Sequence, residues 1–246
     1  MIAAIIQARC GSTRFPNKIF AELQDKPLIW HVVNRLKFAR KVDKLIIATT
    51  VNPLDDKLVS WAVDNNIDYF RGSENDVLER YYETAKIFGA DIVVRITADD
   101  PFKEPEIVDN VIDVLESSQA DFVSNNNPPS FPEGLDVEAF TMEALSKMQN
   151  NATTNFEREH VTQYAYLHPY EFKICNVNNT KNLSYLRWTI DTETDFKMVS
   201  VIYQSLYRDE NHIFHMDDIL QLIQNCPEIA KINSEVQRSE MFKNTK

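Results

Sequence analysis

Three cations, two hydroxyls and one glycine fall within ten residues near the start of the chain: Arg9, Gly11, Ser12, Thr13, Arg14 and Lys18. That set suits a polyanion. Arg9, Arg14 and Lys18 can surround a triphosphate, Gly11 lets backbone approach phosphate oxygens, and Ser12 and Thr13 can donate hydrogen bonds. Two carboxylates, Asp99 and Asp191, each follow an apolar run that reads as a strand. A carboxylate at a strand tip can hold Mg²⁺ while phosphate oxygens and water take the remaining positions. Charge alone also allows a plainer loop, whose arginines pair with nearby carboxylates. Asp100, directly before Pro101, reads as the start of a turn.

The elements that must position these groups alternate. Residues 1–6 form an apolar run too short for a helix and rich enough in β-branched side chains for a buried strand. Pro27 then opens a helix marked by Leu28, Ile29, Val32, Val33 and Leu36, in which His31 is an ordinary helix residue. Strands are predicted at 44–49, 67–70, 91–97 and 120–125, with helices at 55–65, 77–88 and 104–118 between them. Gly89 stops the helix before it. Ser73 and Asp76 approximate a capping box for that helix. Residues 125–134 form a long loop rich in Asn and Pro, and 135–140 alternate like a strand with Asp136 and Glu138 on one face. Residues 156–162 open a helix, where Arg158 and His160 share a face only at an irregular start. Further strands are expected at 171–177 and 185–190, then helices at 195–207 and 216–223. Strand–helix alternation predicts an α/β fold with ligands beyond the carboxyl ends of its strands.

Composition narrows the function classes. A chain of 246 residues with 43% hydrophobic content supports one large α/β core. Its net charge of −11 argues against a nucleic-acid surface. No run approaches the roughly 18 apolar residues of a membrane span, and residues 1–6 have no basic leader, so neither a membrane partner nor a signal peptide is expected. A cytoplasmic location follows. Cys10, Cys175 and Cys226 are scattered without a zinc spacing. Neither G-x-G-x-x-G nor a P-loop is present, so those phosphate folds lose their support.

The string I-I-Q-A-R-C-G-S-T-R-F-P-N-K resembles the signature of the SpsF-like spore-coat polysaccharide cytidylyltransferases. Those are relatives of the enzymes that make CMP-3-deoxy-manno-octulosonate and CMP-neuraminate. The shared R-x-x-S-x-R-x-x-x-K spacing falls on Arg9, Ser12, Arg14 and Lys18, and the resemblance adds Gln7 and Ala8 to the nucleotide contacts. Cys10, Phe15 and Asn17 stand where the family typically has Met, Leu and Gly. Later segments continue the likeness to about Asp195. G-S-E-x-D-V-L-x-R-Y places Ser73 and Asp76 beside the base or ribose, and G-D-x-P puts Asp99 in the family's aspartate position, with Thr97 and Ala98 against the nucleotide. F-P-x-G-L-D-V-E makes Asp136 and Glu138 candidates for acceptor hydroxyls, the alternative being a solvated strand face. E-R-E-H-V-T makes Arg158 and His160 candidates for the acceptor's carboxylate and hydroxyls.

The resemblance implies a Rossmann-like three-layer nucleotide-diphospho-sugar transferase (GT-A type) fold, with a mostly parallel central sheet and a small acceptor-binding and dimerisation lobe. One nucleotidyltransferase domain would span 1–246, with a nucleotide-binding half at 1–125, an acceptor and second metal-ligand part at 126–195, and C-terminal helices at 196–246. The implied reaction joins CMP from CTP to a sugar acid, in a homodimer, with Arg9, Lys18 and Asp99 as catalytic residues and Mg²⁺ held by Asp99 and Asp191. Two other classes compete. A glycosyltransferase of the same fold would read Asp99-Asp100 as a degenerate D-x-D, and a regulatory sugar-nucleotide binder would need no separated pair of metal carboxylates.

Overall fold

The computed structural model describes residues 1–12 and 14–237. Thr13, one of the two expected hydroxyl donors, lies outside the described residues. The first strand, β1 (Ile2–Gln7), sends Ala4 and Ile6 into one apolar core and Ala3 and Ile5 into another. Burial on both faces explains why its sequence is a continuous apolar run. A short hairpin of β2 (Glu22–Leu23) and β3 (Lys26–Pro27) leads into α1 (Leu28–Leu36).

β4 (Lys44–Thr50) then pairs parallel with β1, and α2 (Asp56–Asp64) carries the chain to β5 (Asp68–Gly72) at the sheet edge. After α3 (Val77–Phe88) the chain returns across β1 and lays β6 (Ile92–Thr97) on its other side. This reversal leaves Gln7 and Thr97 side by side where both strands end. Open α/β sheets bind ligands at such a switch point. Gly89 adopts φ 68° after α3, as its position predicts.

α4 (Pro105–Ser118) leads to β7 (Phe122–Ser124). β8 (Glu138–Thr141) inserts antiparallel between β6 and β7, and β9 (Ile174–Asn176) pairs parallel with β7, completing the order β5-β4-β1-β6-β8-β7-β9. The segment expected to meet the acceptor is thus woven into the same sheet. α5 (Met142–Asn151) and α7 (Gln163–Leu167) pack with α3 on one face of the sheet, and α6 (Asn155–Glu159) lies beside α3. The other face carries α1, α2 and α4 with α8 (Glu193–Leu206), α9 (Met216–Asn225) and α10 (Glu228–Lys231). No helix among the described residues is long and apolar enough to cross a membrane.

Two expected strands differ. Residues 135–137 are not part of β8, because the Asn125 amide takes the place of a partner strand: its Nδ2 donates to Leu135 O and its Oδ1 accepts from Val137 N, both at 2.8 Å. Residues 185–190 join no sheet, and Tyr185 lies in a turn that Leu186 N closes by donating to Leu183 O at 3.0 Å. Their one bridge is to Glu133, whose N donates to Leu186 O at 3.0 Å and whose O accepts from Trp188 N at 2.7 Å. Between these two segments Gly134 sits at φ 106°, where an added Cβ would lie 2.8 Å from Thr189 N. Only glycine allows that approach.

Candidate active site

A cleft of about 850 Å³ opens beyond the carboxyl ends of β1 and β6. It is lined by Gln7, Arg9, Arg14, Ser73, Asp76, Thr97, Asp99, Asp136, Glu138, Arg158, His160 and Asp191. Ala8, Ser12, Lys18 and Ala98 line an adjoining pocket of about 230 Å³ that shares Gln7, Arg9 and Asp99 with the cleft. Gly11 is exposed and lines neither; a Cβ there would meet only Glu74 Oε1, at 3.9 Å.

The cationic loop is pinned at two points. Cys10 N donates to the buried Asp55 carboxylate at 2.7 Å, and Cys10 O accepts from Ser12 N and Asn17 N at 2.9 and 3.3 Å. Asn17 adopts φ 55°, a conformation that glycine takes freely and asparagine tolerates. On either side of Cys10, Arg9 and Arg14 keep 46% and 54% of their side chains exposed. They are open charges. Lys18, by contrast, is 12% exposed and donates to Asp99 Oδ2 at 2.8 Å, Ile190 O at 2.7 Å and Asp191 Oδ1 at 3.2 Å. All three of its donors are used.

Burial alone would lower the Lys18 pKa, but Asp99 and Asp191 outweigh it and hold the ammonium above its ordinary value. Burial likewise pushes the Asp99 carboxyl up, and Lys18 reverses that and keeps it below the usual range. Asp191 is braced from behind by the buried Arg187, whose Nη2 lies 3.0 Å away and whose Nε and Nη1 reach Asp195 and Glu133, both at 2.9 Å. Arg14 reaches Asp191 from the open side at 2.9 Å. Asp191 does not end a strand of the sheet; the bond from Ile190 N to Asp99 O, 2.9 Å, brings it to the tip of β6. Because both carboxylates meet one ammonium, they converge on a single position. Among the described residues no three His, Cys, Asp or Glu cluster there or elsewhere as a metal cage. Two carboxylates completed by phosphate oxygens and water are how Mg²⁺ is commonly held, so the donor set fits that ion bound together with a nucleotide.

Across the cleft most groups are already engaged. Asp76, not Ser73, is the N-cap of α3: its Oδ1 accepts from Glu79 N at 2.8 Å, while Ser73 Oγ accepts from Asp76 N at 3.0 Å. The other Asp76 oxygen lies 3.3 Å from Arg158 Nη1. Arg158 also donates to Gln149 Oε1 and O at 2.6 and 3.1 Å, so it pairs with neither Glu157 nor Glu159 on its own helix. Glu157 is occupied by a capping box with Thr154. His160 caps the far end of α6, which lets it face the same cleft as Arg158; burial lowers its pKa, with Glu159 opposing and Arg95 adding. Glu138 is buried and accepts from Arg95 Nη1 at 2.5 Å, Thr162 Oγ1 at 3.0 Å and Tyr166 OH at 2.9 Å. It is no solvated strand face.

Arg80, Arg95, Glu74, Asn126 and Thr189 also line the cleft and were not singled out from the sequence. Two carried a signal: Arg95 interrupts the apolar run of β6, and Arg80 falls on the buried side of α3. Gln7 Oε1, Arg80 Nε and Arg95 Nε are buried without a hydrogen-bond partner among the described residues. Such groups are costly unless a ligand or water meets them.

A mostly parallel sheet with an open cationic loop at its switch point, near two convergent carboxylates, defines a nucleotidyltransferase of Rossmann-like fold. Residues 3–236 match the sequence profile of the family described as Cytidylyltransferase. The chain is 30% identical over 235 residues to the spore coat polysaccharide biosynthesis protein SpsF of Bacillus subtilis, covering 93% of this chain and 96% of that one. It is also 34% identical over 122 residues to the 3-deoxy-manno-octulosonate cytidylyltransferase of Geobacter sulfurreducens, a match that spans about half of each chain, 48% and 47%. The solved structure of a cytidylyltransferase from Leptospira borgpetersenii superposes with a TM-score of 0.89 at 32% identity, over 97% of this chain and 98% of that one. The chain belongs to the cytidylyltransferase family and is a CTP-dependent nucleotidyltransferase.

Proposed function

We propose that the protein transfers CMP from CTP to a hydroxyl of a sugar acid, nonulosonate-like or 3-deoxy-manno-octulosonate-like, and releases pyrophosphate, in the synthesis of a cell-surface polysaccharide. The observation that carries this reading is that one cleft is lined by the open Arg9 and Arg14, by Arg158 and His160, and by Asp99 and Asp191, which Lys18 bridges. The half-chain likeness to a 3-deoxy-manno-octulosonate enzyme supports a sugar acid, and the full-length likeness to a spore coat polysaccharide protein supports the polysaccharide. Two exposed arginines suit a free triphosphate better than a sugar diphosphate, which disfavours the glycosyltransferase alternative.

Arg9 and Arg14 would hold the β- and γ-phosphates, and Lys18 would stabilise the charge that develops on the departing pyrophosphate. Ser73, Asp76, Thr97 and Ala98 would border the nucleoside, with Gln7 at the junction of the two pockets. Asp99 and Asp191 would hold Mg²⁺, which supplies neutralisation of triphosphate charge. Arg158 would meet the acceptor carboxylate, while His160, Asp136 and Glu138 border its hydroxyls. The same reading includes a homodimer in the cytoplasm.

The test is incubation with each nucleoside triphosphate and a panel of sugar acids in the presence of Mg²⁺, with pyrophosphate as the readout. Release is expected from CTP with at least one sugar acid. None from any sugar acid would reject the acceptor class, and undiminished turnover in excess chelator would remove the metal from Asp99 and Asp191.

A further inference from the structure

The sheltered carboxylates at the centre of the cleft are nearly all spoken for. Glu138 accepts from three donors, and Asp100 accepts from Thr97 Oγ1 at 2.5 Å and Lys103 Nζ at 2.8 Å. Asp99 and Asp191 share Lys18, and Glu133 meets Arg187 at 2.9 Å. Asp136 is the exception: half-buried on the cleft wall, its carboxylate makes no hydrogen bond or ion pair among the described residues.

Its backbone, however, is firmly held. Lys103, fully buried, donates to Asp136 O as well as to Asp100, which ties the residue to the turn after β6. Gly134 ties the same loop to Thr189, two residues before Asp191. Asp136 is therefore fixed between the segments that carry Asp99 and Asp191. An acceptor-only group, held rigidly and left without a donor, is placed to receive a proton from something that enters the cleft.

We propose that Asp136 is the general base of nucleotidyl transfer, taking the proton of the acceptor hydroxyl; this rests on the reaction proposed above. As the hydroxyl oxygen bonds to the α-phosphorus, the bond from that phosphorus to its bridging oxygen breaks and the electron pair leaves with pyrophosphate. The hydroxyl proton passes to an Asp136 carboxylate oxygen. Glu138 is not available for this role, because both of its oxygens already accept hydrogen bonds.

The surroundings tune Asp136 for the task. Burial lifts its pKa to about 7, with Lys103 opposing and Asp100, Glu133 and Glu138 adding to the rise. Those four come from the turn after β6, the loop before Asp136, and β8. A base poised near neutral pH is the most effective kind at neutral pH.

The experiment compares pH profiles of CTP-dependent pyrophosphate release for wild type, Asp136→Asn, Asp136→Ala and His160→Gln, on whichever hydroxyl acceptor the wild type turns over. Wild-type kcat/KM for the acceptor should fall on acidification through a limb near pH 7. Asp136→Asn should lower kcat by about 100-fold or more and abolish that limb, with the CTP KM changed by less than about twofold. Formate should partly restore Asp136→Ala, which loss of a merely structural group would not permit. The proposal is overturned if Asp136→Asn turns over within about threefold of wild type, if the slow variants keep the limb and ignore formate, or if the limb disappears with His160→Gln instead. Wild-type turnover of a neutral polyol and of no sugar acid would refute the acceptor class while leaving this comparison intact.

Discussion

The two ends of the cleft solve opposite problems. At the end proposed for phosphate, Arg9 and Arg14 are about half exposed, and their ion pairs are a 3.5 Å approach to Glu74 and a 2.9 Å pair with Asp191. At the end proposed for the acceptor, Arg95, Glu138, Thr162 and Tyr166 form a network centred on the buried Glu138, and Arg158 is already held by Asp76 and Gln149. Exposed charges hold little folding energy and can be given to a ligand, whereas buried pairs are dangerous to break from one side. Under the proposed function, the difference means that binding energy for the triphosphate is kept in reserve, while the sugar would meet a wall built in advance. Lys18 belongs to both worlds, since it is a phosphate-loop residue locked into a buried ion triad.

The contrast can be broken by substitution. Lys18→Ala takes from Asp99 its ammonium partner and leaves Asp191 to Arg14 and Arg187, and kcat/KM for CTP should fall by about 1,000-fold, the upper range for loss of one charge-stabilising donor. Steady-state kinetics at saturating acceptor measure it, and a drop below tenfold would make Lys18 a structural lysine. Glu138→Ala strands Arg95 in the interior, so stability should fall by about 3 kcal/mol and Tm by about 6–12 °C. An unshifted calorimetric transition would contradict the prebuilt wall.

Smaller effects sharpen the same comparison. Arg9→Ala should raise the CTP KM about tenfold while Tm stays within about 2 °C, because an exposed pair at 3.5 Å contributes little to folding. Loss of stability without loss of CTP affinity would reverse the assignment of the loop. Arg158→Ala should raise the acceptor KM about fivefold and leave the CTP KM alone. A rise in the CTP constant instead would show that Arg158 serves the α3 cap through Asp76 and not the sugar.

Much of this was legible because it is local. The apolar runs of β1, β4 and β6, the Gly89 stop and the helix opened at Pro27 each depend on a few consecutive residues. So did the gathering of cations at residues 9–18, and the sequence string alone was enough to name the family that the profile and the full-length relative then established. The strand expected at 185–190 did not form, since residue types that suit an extended chain do not say whether another strand lies beside it. Asn125 intervened in the same way at 135–137, where a side-chain amide replaced the expected ladder.

What the sequence by itself determined, then, is the inventory: a phosphate-suited loop, acids that follow apolar runs, an α/β alternation and a cytidylyltransferase signature. Tertiary structure alone decided which members of that inventory meet. Lys18 reaches Asp99 across 81 positions and Asp191 across 173, Arg95 is neutralised by Glu138 because β8 inserts antiparallel beside β6, and the Asp136 carboxylate is left without a partner among the described residues although it sits two residues from a fully paired acid. The physical reason is that hydrophobic periodicity reports only which face of an element is buried. Charge pairing depends on distances set by sheet order and register, and those are properties of the packed whole.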